Sequence, residues 1–395
     1  MLTPATAMSR LGTDSAFEVL ARAKALETQG KHIIHMGIGQ PDFPTPDHIV
    51  EAACKALKDG HHGYTPAGGI PELRVAVAAD IAKYRGAEVD PATVLIAPGG
   101  KAVLFYTALI FGEPGAEIIY PDPGFLSYES VITFSGATPV PMHYREENGF
   151  SFNAEEMLSL ITPRTRLIIL NSPANPTGGV VGREEMERLV AGLAEHPGVA
   201  VLSDEIYSRM LYDGREHVSL LEFEELRDRV ILLDGWSKTY AMTGWRLAYG
   251  VYPPKLFEHA ERLAINCHSC VNTASQYAGI AALEGPQDDV DRMVAAFDKR
   301  RRRLVAGLND LPEFSCREPG GAFYAFPNIG GTGMGSKEIE EKILNEAGVA
   351  TVAGASFGRY GEGFLRFSYA TGIENIEAAL RRIGESLWDF RNPGG

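Results

Sequence analysis

Cysteine is scarce: Cys54, Cys267, Cys270 and Cys316 are the only four in 395 residues, too few and too scattered for a disulfide scaffold. Cys267 and Cys270 form a lone C-H-S-C with no second ligand pair nearby, so they read as incidental thiols in a reducing compartment rather than a metal site. No apolar run approaches the roughly 18 residues needed to span a bilayer. The first twenty residues show no basic stretch leading into an apolar core, so no signal peptide is read there. The expected location is cytoplasmic, with no membrane partner and no bound metal. Positive charge is also short, since 37 Lys+Arg against 51 Asp+Glu leaves −14. A body this acidic repels a phosphate backbone, which disfavours nucleic acid as a partner. Internal repeats and low-complexity linkers are absent, and 45% hydrophobic with 22% charged residues excludes a largely disordered chain.

What is present is length and glycine. A chain of 395 residues exceeds the roughly 150 of a typical single domain, so two domains are expected. Glycine, 43 of 395, is about 11% against a usual 7%, which implies many turns and close backbone approaches. Short apolar runs recur at Thr93–Ala97, Glu117–Tyr120, Leu167–Leu170, Val199–Asp204, Val230–Asp234 and Leu247–Val251. They carry little polar alternation, as expected of strands buried on both faces. Helical patterns such as Lys101–Phe111 and Arg183–Ala194 lie between them, which implies an α/β fold with a largely parallel sheet covered on both sides. From about Val290 the texture changes to a long helical pattern, shorter elements and two helices, Ser336–Ala347 and Glu374–Leu387. This suggests a smaller α+β domain. The division is read as 45–289 for the large domain, with 1–44 and 290–395 forming the small one. The basic run Lys299–Arg303 reads as a solvated helix face. Gly330–Gly335 mimics a dinucleotide fingerprint, but no strand leads into it, so it reads as a flexible loop.

In parallel sheets ligands sit at the carboxyl ends of strands, and four features stand there. NSPANPTGG (Asn171–Gly179) follows LIIL; Asp204 and Tyr207 close VAVLSDEIY; GWSKTYAMTGWR follows VILLD and carries Ser237, Lys238 and Arg246. Near the end, GFLRFSYA places Arg366 within an apolar strand, where an unpaired guanidinium is costly and calls for an anionic partner. An acid closing a strand could simply cap a helix. A lysine amid Trp236, Tyr240, Met242 and Trp245 is harder to read as a solvated charge.

SPANPTG, SDEIY and SKTYAMTGWR, in this order, resemble the class I and II aminotransferases, the aspartate aminotransferase-like group of pyridoxal 5'-phosphate (PLP) enzymes of fold type I. The similarity runs from MGIGQPDFPTP to RFSYATG. It implies a large domain with a mostly parallel seven-stranded sheet covered by helices, plus a smaller α+β domain. It also implies transfer of an amino group from an α-amino acid to a 2-oxo acid such as 2-oxoglutarate or pyruvate, in a ping-pong cycle.

The resemblance assigns the residues. Lys238 matches the lysine that joins the cofactor aldehyde as a Schiff base and shuttles protons. Asp204 matches the carboxylate that keeps the pyridine nitrogen protonated. Tyr207 and Asn175 match the residues bonding the ring's phenolic oxygen. Lys238, Asp204 and Tyr207 form the implied catalytic set. Arg246 and Ser237, with Gly99, Gly100 and Lys101 at an expected helix start, match the phosphate and cofactor contacts. Phe125 matches the aromatic stacked on the ring. Arg366 matches the fork gripping the substrate α-carboxylate, with Gly39 and Asn175 beside it. Tyr64 matches a tyrosine reaching the neighbouring subunit's phosphate, which implies a homodimer with shared active sites.

Two departures stand out. Many relatives carry serine at the position of Gly235, where its hydroxyl touches phosphate. Enzymes dedicated to aspartate commonly carry tryptophan at Phe125, and no second arginine for a side-chain carboxylate is identified. Phe in place of that tryptophan and the lack of that arginine both lean toward a neutral or broad amino donor. The alternative within the same fold is a carbon–sulfur β-lyase or related synthase. A ligand-sensing regulator is disfavoured by the acidic charge and the lack of a DNA-binding module.

Overall fold

The structure is a computed structural model that describes residues 2–13 and 15–391. In chain order its strands are β1 (Ile34–His35), β2 (Val94–Ala97), β3 (Glu117–Asp122), β4 (Thr138–His143), β5 (Thr165–Asn171), β6 (Ala200–Asp204) and β7 (Val230–Gly235). They continue with β8 (Ala248–Val251), β9 (Tyr324–Ala325), β10 (Val349–Ala350), β11 (Val352–Ala353) and β12 (Leu365–Ser368). Seven form one sheet in the order β2-β8-β7-β6-β5-β3-β4. All neighbours run parallel except β8, which is antiparallel to both β2 and β7.

The apolar runs read from the sequence are these strands, and burial explains their lack of alternation. Along β5, Ile168 and Leu170 enter one apolar cluster while Leu167 and Ile169 enter another on the opposite face. Both faces of the sheet are therefore core. β4 escaped the reading because its sequence, TPVPMH, holds two prolines. Proline is tolerated on an edge strand, where its missing N–H has no ladder partner, and β4 lies at the edge.

A third apolar cluster joins Ile34 and Met36 to Met293, Phe297 and residues onward to Leu387, with Tyr207, Met210 and Tyr212 also in it. Around it lie the helix Asp288–Asp310, the antiparallel trio β11-β12-β9 and the parallel pair β1-β10. The pattern Ser336–Ala347 is an α-helix only over Ser336–Lys342 and then widens into a π-turn, Ile343–Ala347. Gly330–Gly335 holds a 3₁₀ turn, Gly330–Thr332, within its loop.

The basic run Lys299–Arg303 departs from expectation. Arg301 is wholly buried, bonded at 2.8 Å to Asp213 through both terminal nitrogens and to Asp298 at 2.9 Å. Arg300 forks onto Asp42 and lies over Phe43. Lys299 and Arg302 are exposed as charge alone suggested; for Arg301, Asp298 on the same helix and Asp213 on a distant segment supply the compensation that lets a guanidinium be buried.

Candidate active site

β5, β6 and β7 are parallel neighbours, and Asn171 pairs in register with Asp204. Their carboxyl ends therefore deliver Asn171, Asp204 and the Gly235–Lys238 turn to one place. A cavity of about 530 Å³ opens there, lined among others by Gly39, Lys101, Phe125, Asn175, Asp204, Tyr207, Ser237, Lys238, Arg246 and Arg366.

Lys238 sits in the short helix Trp236–Thr239 and donates to the carbonyl oxygen of Gly39 at 2.5 Å. Burial together with Arg366, Arg246 and Lys101 pushes its ammonium down to about 7, against the pull of Asp204. Asp204 runs the other way. Burial, with Asp234 and Glu205 nearby, lifts its carboxyl to about 6, although the Tyr128 hydroxyl (2.7 Å) and the Ile206 N–H (3.3 Å) donate to it. Among the described residues no basic side chain pairs with Asp204. A buried carboxylate without a cation, facing a cavity, fits a protonated ring nitrogen.

The anion side is built from backbone. Gly99 caps the helix Gly100–Phe111 with φ +96°. A Cβ there would lie 2.1 Å from the Arg246 Nη2, so only glycine lets that guanidinium rest against the helix start. Arg246 itself is left-handed (φ +55°) and is tied by Nη1 to the Thr243 carbonyl at 2.7 Å. A guanidinium beside free helix N–H groups fits a phosphate. Lys101 lies over the Phe125 ring at 5.2 Å, and Tyr128 meets that ring edge-on.

Arg366 reaches the same cavity from β12. Its Nη1 donates to Asn175 Oδ1 (2.9 Å) and its Nη2 to the Gly37 carbonyl (2.5 Å), while the Tyr324 and Phe357 rings lie against the guanidinium at 4.6 and 4.7 Å. Asn175 is held in turn by Asn171, whose amide also bonds the Asp204 carbonyl. Tyr207 bonds Tyr324 between hydroxyls at 2.9 Å. Gly39 is glycine because a Cβ would meet that Tyr324 hydroxyl at 2.2 Å.

Two sequence-stated positions behave differently from the rest. Tyr64 is 94% exposed and does not line this chain's cavity. Gly235 packs so that a Cβ would fall 2.7 Å from both Ala248 Cα and Cβ. β8 thus excludes a serine there, which leaves the helix start and Arg246 as groups that fit an anion. Sequence reading gave no role to Tyr128, Asn171 and Tyr324. Tyr128 stood within PDPGFLSYES and Asn171 headed NSPANPTGG, so both had a local signal; Tyr324, in GGAFYAF, had none.

The family profile described as "Aminotransferase class I and II" matches residues 31–383. An aspartate aminotransferase of Geobacillus stearothermophilus is 37% identical over 382 residues, covering 95% of this chain and 96% of its own. An aromatic-amino-acid aminotransferase 2 of Thermococcus litoralis is 38% identical, covering 90% of this chain and 92% of its own. Among solved structures, the aspartate aminotransferase of Rhizobium meliloti superposes with a TM-score of 0.94 at 34% identity, covering 98% of this chain and 99% of its own. An alanine aminotransferase from Pyrococcus furiosus gives 0.91 at 34% identity, covering 98% and 100%.

Proposed function

The chain belongs to the class I and II aminotransferases, and from that premise we propose a role for each side chain in its cavity. It is a transaminase of fold type I. The relatives above favour amino transfer over β-elimination, since each bears an aminotransferase name.

The proposed cofactor is PLP, which when bound supplies the electron sink for the carbanion left at the substrate α-carbon. Lys238 is the point of covalent attachment. With its ammonium lowered to about 7, a substantial share of neutral amine exists near neutral pH, able to attack an aldehyde and afterwards to carry a proton between the α-carbon and the cofactor C4′. Asp204 keeps the pyridine nitrogen protonated, an ion pair that its buried, cation-free carboxylate favours. Tyr207 and Asn175 donate to the ring's phenolic oxygen; Asn175 has its Nδ2 available for this while Oδ1 is engaged by Arg366. Arg246, Ser237 and the Gly99–Lys101 helix start hold the phosphate, and Phe125 stacks on the ring.

Arg366 holds the α-carboxylate with its planar fork. The wall beyond it mixes Phe17, Ile38 and Leu126 with Lys101, which favours a broad donor range, apolar side chains against the wall and a distal carboxylate toward Lys101. Tyr64, exposed on its own chain, is proposed to complete the site of a second copy in a homodimer. The division into 45–289 and 1–44 plus 290–395 is supported by the separate apolar clusters, and the proposed location is cytoplasmic, consistent with no described helix being long and apolar enough to cross a membrane.

The pairing of a depressed lysine and an elevated aspartate in one cavity carries this reading. Borohydride treatment of the PLP-loaded protein, followed by peptide mapping, is expected to leave a pyridoxyl group on Lys238. An adduct elsewhere, or none, overturns it. A half-reaction panel with aspartate, alanine and phenylalanine then ranks the donors.

A further inference from the structure

Asp122, the last residue of β3, is almost wholly buried, yet the functions above leave it unused. Its two carboxylate oxygens are spent on the backbone of a distant loop: Oδ2 accepts from the Arg359 N–H and Oδ1 from the Tyr360 N–H, both at 3.1 Å. The loop is shaped to receive it. Gly358 has φ +121°, and a Cβ there would fall 2.1 Å from Asp122 Oδ1. Two further contacts fasten the same stretch. The Gly124 N–H donates to the Phe357 carbonyl at 2.9 Å, and His143 at the end of β4 stacks on Tyr360 with centroids 3.9 Å apart. Burial lifts the Asp122 carboxyl to about 6, and the two N–H bonds restrain that rise, as expected of a carboxylate kept for its hydrogen bonds.

The loop matters because of its first residue. The Phe357 ring lies 4.7 Å from the Arg366 guanidinium, which the Tyr324 ring also approaches at 4.6 Å. Two ring contacts restrict the orientations in which that guanidinium can present its fork. We propose that Asp122 is a positioning residue for substrate carboxylate recognition: it clasps the 357–360 loop to the end of the central sheet and so keeps Phe357 against Arg366. This rests on the reading of Arg366 as the carboxylate fork. The same clasp joins the β3 end, which leads into Phe125, to the segment that backs Arg366.

The test uses the PLP-loaded enzyme with L-aspartate as donor and three variants. Asp122→Asn keeps one acceptor and sets an amide N–H₂ against the other loop N–H. Gly358→Ala pries the clasp open from the opposite side and decides the matter if Asp122→Asn fails to fold. Arg366→Lys tests the underlying reading. Both clasp variants are expected to raise KM about tenfold, the scale of one lost charge-assisted hydrogen bond, with kcat within twofold and cofactor absorbance unchanged. Amide hydrogen exchange at Arg359 and Tyr360 should quicken. If Arg366→Lys raises KM while both clasp variants leave it within twofold, the clasp is overturned and the fork stands. If Arg366→Lys itself leaves KM unchanged, the fork reading fails. A fall in kcat at constant KM also overturns the clasp.

Discussion

Asp204 and Glu205 are neighbours in the chain, both buried at the end of β6, yet they meet opposite surroundings. Glu205 faces away from the cavity and is saturated: Arg85 Nε and His217 Nε2 lie at 2.7 Å, the Ser219 hydroxyl at 2.8 Å and the Ser203 hydroxyl at 2.9 Å. Burial alone would raise its carboxyl, but His217 and Arg85 bring it down to about 2. Arg85 also bonds Asp234, whose Oδ1 accepts the Gly235 N–H, so one guanidinium ties together the chain segments that carry Asp204 and lead to Lys238. Asp204 has two donors and, among the described residues, no cation paired with it, and stands at about 6. Desolvation is common to both acids; compensation separates them. Of this pair, the fully paired acid is a structural joint, and the one that faces the cavity with no counter-charge among the described residues is left to meet a ligand.

Three changes probe that contrast, in descending order of expected effect. Asp204→Asn preserves shape and removes the charge that holds a ring proton, so kcat of the PLP-loaded enzyme should fall by about 10² to 10⁴, the range for a positioned proton-transfer partner. Steady-state turnover within tenfold of the parent would sink the assignment. Arg85→Met breaks the saturated side and strands two buried acids. Urea unfolding should register a loss of about 3–5 kcal/mol, and a loss under 1 kcal/mol would mean that water replaces the guanidinium.

The third change concerns pH in the cofactor-free protein. Folded Asp204 takes its proton near 6 and an unfolded aspartate near 3.9. Its burial penalty therefore acts at neutral pH and fades as pH falls from about 7 to 4. Asp204→Asn should stabilise the cofactor-free protein at pH 8 by on the order of 2 kcal/mol, an advantage that vanishes below pH 4. Glu205 has the reverse sign. Its contribution is present above about 4.3 and is lost as pH drops toward 2. Glu205→Gln should therefore destabilise at pH 7 and converge with the parent only in strong acid. Paired thermal melts across this range check both slopes.

Much of this site was legible because its chemistry sits in contiguous motifs at strand ends. Lys238, Asp204, Arg246 and Arg366 each announce themselves by a charge beside an apolar run. What escaped is made by tertiary meeting. Tyr324 gains its place only because Gly39, Tyr207 and Arg366 converge on it from three segments. Asp122 stands before a proline with nothing in its local sequence to mark the loop it bonds, 237 positions away. Arg301 looked solvated because its partner Asp213 is 88 positions away. In the fold, strands buried on both faces were readable from their hydrophobicity, whereas edge strand β4 was hidden by its prolines.

The bond from Arg366 to the Gly37 carbonyl spans 329 positions. The central sheet, with Lys238 and Asp204 at its rim, ends at Val251 in β8, so a nascent chain emerging from the ribosome can complete that sheet with more than a hundred residues still to be made. Contacts this distant in sequence form last. With the proposed roles, the carboxylate fork at Arg366 is then the last part of the site to be completed, when the tail of the chain folds back onto Gly37.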